Sequence, residues 1–123
     1  KNRTRSLMLN KCFCNYPDEM DFLSVFGVEP VESQPKEGFW SYLYSYENQR
    51  QVKLSLCLPE CSIQTTLIID GLEISTIRKE GAEYLSIENE KTIRGKCQNE
   101  SDVTELLIKL EPHLQVTWAN LRI

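Results

Sequence analysis

The stretch FWSYLYSY, residues 39–46, changes its chemical character at every second residue. Trp40, Tyr42, Tyr44 and Tyr46 fall on one face of an extended chain, and the residues between them are mostly smaller or more polar. Such alternation is typical of a β-strand with two different faces. After the turn residues ENQRQ, the stretch QVKLSLCL (51–58) repeats the pattern with four aliphatic residues facing a core. The two stretches therefore predict paired antiparallel strands.

Further strands follow at short spacing. The runs SIQTTLIID (62–70), LEISTIRK (72–79), AEYLSIEN (82–89) and TIRGKCQ (92–98) are separated only by turn residues such as Asp70-Gly71 and Glu80-Gly81. Connections this short favour pairing between strands that are neighbours in the sequence. A weaker strand pattern begins the chain at Leu7, Leu9 and residues 12–14, and another, LQVTWANLRI (114–123), ends it.

Two segments have the features of helices. In PDEMDFLSVFG (17–27), Pro17 suits a first turn and Gly27 suits a helix end, and residues 28–38 then read as a loop. In SDVTELLIKL (101–110), Ser101 is a suitable N-cap before an apolar stripe of Val103, Leu106, Leu107 and Leu110. We therefore expect a single α+β domain over residues 1–123. Its core would be a curved antiparallel β-meander of about six to eight strands, with one helix near each end of the chain covering the concave face.

Charge narrows the choice of partner. The chain has 14 Lys and Arg residues against 18 Asp and Glu residues, a net charge of −4. Four of the basic residues precede the first acid, Asp18, so the chain from Asp18 onward carries 10 basic against 18 acidic residues, a net charge of −8. An acidic surface repels a phosphate backbone and attracts basic proteins. We expect no direct nucleic-acid ligand, although a mildly acidic soluble domain is also ordinary.

The five cysteines allow four interpretations. Cys12-x-Cys14 and Cys57-x3-Cys61 lack the usual spacing of a structural zinc site. An odd number of cysteines, without a visible export signal, does not favour a disulfide framework. His113 is the only histidine, and nothing near it in sequence suggests a thiol nucleophile. We expect reduced, partly buried cysteines in a cytoplasmic protein, with no metal and no cofactor.

No enzyme motif is present in the sequence. It has no glycine-rich phosphate loop, no G-x-S-x-G and no pair of histidines. No apolar run approaches the length of a membrane-spanning helix, so we expect no membrane partner. The candidate binding features are the aromatic row of residues 40–46, which could equally face the core, and an acid cluster. The residues that we favour for partner binding are Glu80, Glu83, Glu88, Glu90, Tyr44 and Tyr46.

In plan, the chain resembles the small immunity proteins of bacterial polymorphic toxin systems, including those of contact-dependent growth inhibition. The resemblance rests on the order PDEMDFLSVFG, the strand block from FWSYLYSY to TIRGKCQ, then SDVTELLIKL and LQVTWANL. It implies a non-enzymatic protein that binds a cognate toxin domain, for example a nuclease with a basic groove, and blocks its active site or substrate groove in the cytoplasm.

Three alternatives stay open at this point. A curled meander could hold a small ligand in a pocket lined by Trp40, Tyr42, Leu54 and Leu56. A cysteine could react with the help of His113. The aromatic row could instead be a dimer face, and the sequence does not decide the oligomeric state.

Overall fold

The fold consists of two antiparallel β-sheets and one α-helix. The computed structural model describes residues 12–47, 49–100 and 102–121. Within them, helix α1 spans Glu19–Phe26, and a short 3-10 helix spans Pro35–Glu37. The strands are β1 (Glu32–Gln34), β2 (Phe39–Tyr46), β3 (Arg50–Cys57), β4 (Ser62–Ile69), β5 (Leu72–Glu80), β6 (Ala82–Asn89), β7 (Thr92–Gln98), β8 (Val103–Lys109) and β9 (Gln115–Asn120).

Each strand pairs with its sequence neighbour, except where the chain leaves one sheet for the other. The first sheet has the order β1-β2-β3-β4-β5, and the second has the order β6-β7-β8-β9. The expected meander is thus confirmed in its pairing, but it is divided between β5 and β6 into two open sheets. Gly81 lies at this division with a φ of 80°, and a Cβ atom there would approach the Gln98 carbonyl oxygen to 2.1 Å. Such a position accepts only glycine.

The core lies between the two sheets. Leu54 and Leu56 of β3, Leu85 of β6 and Leu106 of β8 belong to one buried cluster. The indole Nε1 of Trp118 in β9 donates a hydrogen bond to Thr65 Oγ1 of β4 at 2.9 Å, which links the sheets directly. The second sheet, together with α1, therefore covers the face of the first that we expected two helices to cover.

The predicted second helix is wrong. Residues of the SDVTELLIKL segment form β8, which pairs with β7 on one side and β9 on the other. Leu106 and Ile108 point into the core, as does Leu110 just after the strand, whereas Lys109 is exposed. Leu106 and Leu110 belong both to the predicted helical stripe and to an alternation with Ile108, and pairing on both sides selects the strand. The suggested cap, Ser101, lies outside the described residues.

Helix α1 is confirmed and ends where the sequence predicts, but it begins at Glu19, so Pro17 precedes the helix and is not part of its first turn. Asp18 and Asp21 form a capping box in which each carboxylate accepts the other residue's backbone N–H at 2.9 Å. Gly27, at a φ of 69°, donates its N–H to Leu23 O and ends the helix. Phe22 is the residue of α1 that is fully buried, and it anchors the helix on the first sheet.

Two other segments have a structure that differs from the predicted one. The loop expected at residues 28–38 contains β1 and the 3-10 helix. Leu7 and Leu9 of the proposed first strand lie outside the described residues. Residues 12–14 form a turn and not a strand, and Phe13 and Cys14 donate their N–H groups to the carbonyls of Ala82 and Glu83 on β6. This segment covers part of the edge of β6.

Candidate functional surface

The aromatic row of β2 faces the core and α1, which settles the open choice between core and surface. The ring of Tyr42 is buried and stacks on Phe22 with 3.8 Å between ring centroids. Trp40 Nε1 donates to Glu19 Oε2 at 2.8 Å, and Ser33 Oγ donates to the same oxygen at 2.9 Å. Glu19 thus fixes α1 to β1 and β2. These contacts explain the aromatic content of β2 through packing.

Tyr44 and Tyr46, which we favoured for partner binding, are half-buried. The ring of Tyr44 meets Phe26 edge-on, with 6.4 Å between centroids. The hydroxyl of Tyr46 donates a hydrogen bond to the carbonyl of Pro112. Both side chains therefore have roles within the fold, and their contact with a partner stays a prediction.

The four acids that we favoured lie near the β5–β6 junction and along β6. Glu80 ends β5, Glu83 and Glu88 lie on β6, and Glu90 is exposed in the turn that follows β6. Three of them have basic neighbours: Glu80 binds Arg78 at 2.9 Å, Glu83 lies 3.7 Å from Lys96, and Glu88 pairs with Arg94. Exposed pairs of this kind contribute little to stability. They do offset much of the negative charge in this region, and the binding role of these acids stays a prediction.

Two of the five cysteines are not reduced, as we expected them to be, but form a disulfide. Cys12 and Cys61 form a disulfide that spans 49 residues of sequence, with a Cα–Cα distance of 5.5 Å. It ties the segment before α1 to the turn between β3 and β4. Proximity in the fold, which spacing in the sequence did not reveal, brings the two residues together. Cys97 is buried, and this burial raises the pKa of its thiol to about 11, so it is a poor nucleophile near neutral pH.

In the described part of the chain, potential metal ligands do not gather at one point and the cavity beside Tyr42 is small. No group of three or more His, Cys, Asp or Glu side chains is placed to hold a metal ion among residues 12–47, 49–100 and 102–121. The cavity between α1 and the sheets, which Tyr42 and Leu54 help to line, measures about 20 Å³. That volume suits about one water molecule, whereas ligand pockets measure hundreds of Å³. No helix in this described part is long and apolar enough to cross a membrane.

A second acidic region, which sequence reasoning missed, runs from the start of α1 to the 3-10 helix. Between residues 18 and 37 the chain holds one basic residue, Lys36, against six acids. The acids are Asp18, Glu19, Asp21, Glu29, Glu32 and Glu37. None of them takes part in an ion pair within the described residues. A count of charge by segment would have found this region, but we interpreted its first acids only as helix-capping residues.

Comparison with solved structures shows that the fold is similar to that of a chain in a toxin–immunity protein complex. The structure is similar to a chain of the contact-dependent growth inhibition toxin–immunity protein complex from Klebsiella pneumoniae 342, with a TM-score of 0.76 and 23% sequence identity. The match covers 87% of this chain and 96% of that chain. The two share a fold. The likeness to a chain of such a complex is thereby shown at the level of the fold. A scan of protein-family models finds no match, and neither does a search among curated proteins.

Proposed function

We propose that the chain is a non-enzymatic immunity protein that binds a cognate bacterial toxin domain and neutralises it. The observation that carries this proposal is the likeness of the whole fold to a chain of a toxin–immunity complex. Because the likeness extends over 87% of this chain and 96% of that chain, it concerns most of the fold and not one short motif. We place the protein in the cytoplasm of the bacterium that makes the toxin, where the Cys12–Cys61 disulfide would be an exception to the reduced state usual for cysteines in that compartment.

The partner that fits the charge of the chain is basic. From Asp18 to the end, acidic residues outnumber basic residues by eight, so association with a basic toxin domain would be fast at low salt. A nuclease toxin carries such a basic groove because it must bind the phosphate backbone of its substrate. Inhibition would then follow from covering the active site or the path of the substrate, without chemistry on the part of the inhibitor.

The proposal is tested by isolating the partner and measuring protection. Tagged protein is used to capture proteins from a lysate of its source bacterium, and a stoichiometric partner is identified by mass spectrometry. The captured domain is then expressed in a sensitive bacterium with and without the present chain. We expect the domain to arrest growth and equimolar co-expression to restore it. A domain that remains toxic in the presence of the bound chain would contradict the proposal.

A further inference from the structure

Exposed apolar side chains concentrate around α1. The described residues contain nine exposed large hydrophobic side chains, and five of them lie between residues 16 and 31. Met20 is 67% exposed and Val31 is 57% exposed. An apolar patch of this kind, bordered by polar residues, commonly marks a protein-binding surface. The five residues are Tyr16, Met20, Leu23, Val25 and Val31.

The shape of this surface suits the docking of side chains. On one side of α1, Glu19, Met20, Leu23, Glu29 and Pro30 line a depression of about 340 Å³. On its other side a depression of about 280 Å³ lies between the helix and the residues of β6. The exposed face of α1 is therefore a ridge between two grooves. We call this ridge and its two grooves the α1 surface.

The charge of the α1 surface selects the kind of occupant. Asp18, Glu19, Asp21 and Glu29 lie at the start of α1 or line its two grooves, and no basic residue occurs between residues 18 and 31. Three of these acids also affect a buried group. The pKa of the Tyr42 phenol is raised to about 12, first by burial and then by the negative charges of Glu19, Asp18 and Asp21. A partner for this surface must bring positive charge around an apolar side chain.

Two competing surfaces lack this combination. Strand β5 exposes Leu72, Ile74 and Ile77 at the edge of the first sheet. Its two acids, Glu73 and Glu80, are balanced by Arg78 and Lys79, and its ladder with β4 is interrupted by a bulge. The acids at residues 80–90 are largely offset by basic neighbours. Among the described residues, the α1 surface alone joins exposed apolar area to a strong excess of negative charge.

The α1 surface is also held in place before any partner arrives. Phe22 stacks on Tyr42, the capping box fixes the start of the helix, and Glu19 accepts hydrogen bonds from both Trp40 and Ser33. A surface that is already ordered loses little conformational entropy on binding, which favours affinity.

We propose that the α1 surface is the docking site for a basic protein segment that inserts an apolar side chain beside Met20. In assigning that segment to a toxin domain, this inference rests on the function proposed above. It places the contact on α1 and its following loop, and not on Glu80, Glu83, Glu88 and Glu90.

Matched variants distinguish the two surfaces. Met20→Ser is compared with Leu72→Ser, since the two side chains are 67% and 66% exposed. Glu29→Lys is compared with Glu90→Lys, since both replace an exposed acid by a base. Binding of the toxin domain recovered from the lysate is measured by surface plasmon resonance, and folding of each variant is checked by thermal unfolding.

We expect Met20→Ser and Glu29→Lys each to weaken binding by about tenfold, the loss typical of a contact near the centre of an interface. The effect of Glu29→Lys should lie mainly in the association rate and diminish with added salt. Leu72→Ser and Glu90→Lys should leave binding within about twofold. If the toxin domain binds and only the control variants weaken it, the location on α1 is wrong while the proposed function stands.

A second measurement tests the α1 surface when no toxin domain is recovered. A short synthetic peptide that alternates lysine and leucine is added to labelled protein, and amide chemical shifts are followed by NMR. We expect salt-sensitive shifts confined to residues 16–31 that are lost in the Met20→Ser, Glu29→Lys double variant. A peptide that alternates glutamate and leucine should cause none. Shifts centred on residues 72–90, or equal shifts with both peptides, would overturn the inference.

Discussion

Opening the Cys12–Cys61 disulfide should lower the stability of the chain by a predictable amount. A disulfide stabilises mainly by restricting the unfolded chain, and the effect grows with the length of the loop that it closes. With a sequence separation of 49 residues, the chain-entropy relation gives about 4 kcal/mol at 25 °C. Such a loss would be a large part of the roughly 5–15 kcal/mol by which folded proteins are usually stable.

Urea unfolding measures this loss. For a domain of this size the dependence of the unfolding free energy on urea is about 2 kcal/mol per molar, so 4 kcal/mol corresponds to a midpoint about 2 M lower. The perturbation is made twice, by adding dithiothreitol to the natural protein and by the double substitution Cys12→Ser, Cys61→Ser. Both should give the same midpoint, and dithiothreitol should not shift the double variant. Cys57→Ser, which leaves the disulfide intact, serves as the control.

The structure also predicts which part of the fold becomes less stable when the disulfide is opened. Leu85 donates its backbone N–H to Asn15 O, so exchange of this amide hydrogen reports on the segment that the disulfide holds against β6. We expect faster exchange at Leu85 in the double variant than in Cys57→Ser. Alkylation of the denatured, unreduced protein should modify three of its five cysteines. Modification of all five, together with a midpoint that dithiothreitol does not change, would refute the reasoning.

Three further predictions concern the packing of the fold. Phe22→Ala should lower the free energy of unfolding by about 3–5 kcal/mol because it removes the buried anchor of α1, whereas Met20→Ala on the exposed face should change it little; urea unfolding of both variants checks this. Gly81→Ala should destabilise more than Gly71→Ala in thermal unfolding. The two φ values are 80° and 79°, but only at Gly81 would the new Cβ meet a carbonyl of β7, at 2.1 Å, so equal losses would contradict the predicted clash. The raised pKa of Tyr42, about 12 against an ordinary 10, means that the folded state holds the phenolic proton more tightly than the unfolded chain. The stability from this group should thus be complete below about pH 10 and be lost as the pH rises toward 12. Urea unfolding across this range should show a smaller decline in Tyr42→Phe than in the natural protein.

The strands were predictable because their signals are local. Residues 39–46 and 92–98 form strands with the predicted bounds, and α1 ends at the predicted glycine. Alternation, turn residues and caps act over a few neighbouring positions, so they can be read without knowing the fold. The pairing of most sequence neighbours was also predictable, since connections of two to five residues leave little other choice. The exception is β5 and β6, which only Gly81 separates and which lie in different sheets.

The candidate binding surface was only partly predictable. The excess of acids was visible in the sequence, but their counter-charges were not. Arg94 lies six residues from Glu88, and Lys96 lies thirteen residues from Glu83, yet strand pairing brings each basic residue beside its acid. The acids around α1 keep their charge exposed because the fold brings no basic side chain to them within the described residues.

By itself, the sequence determined strands β2 to β7 and β9 and their order, the first helix and the sign of the net charge, because each depends on neighbouring residues or on composition. Tertiary structure decided the rest. It turned residues 103–109 into a strand between two others, turned the aromatic row of β2 toward α1, and joined Cys12 to Cys61. These outcomes depend on contacts between residues far apart in the chain, and such contacts form only once the two sheets have packed face to face.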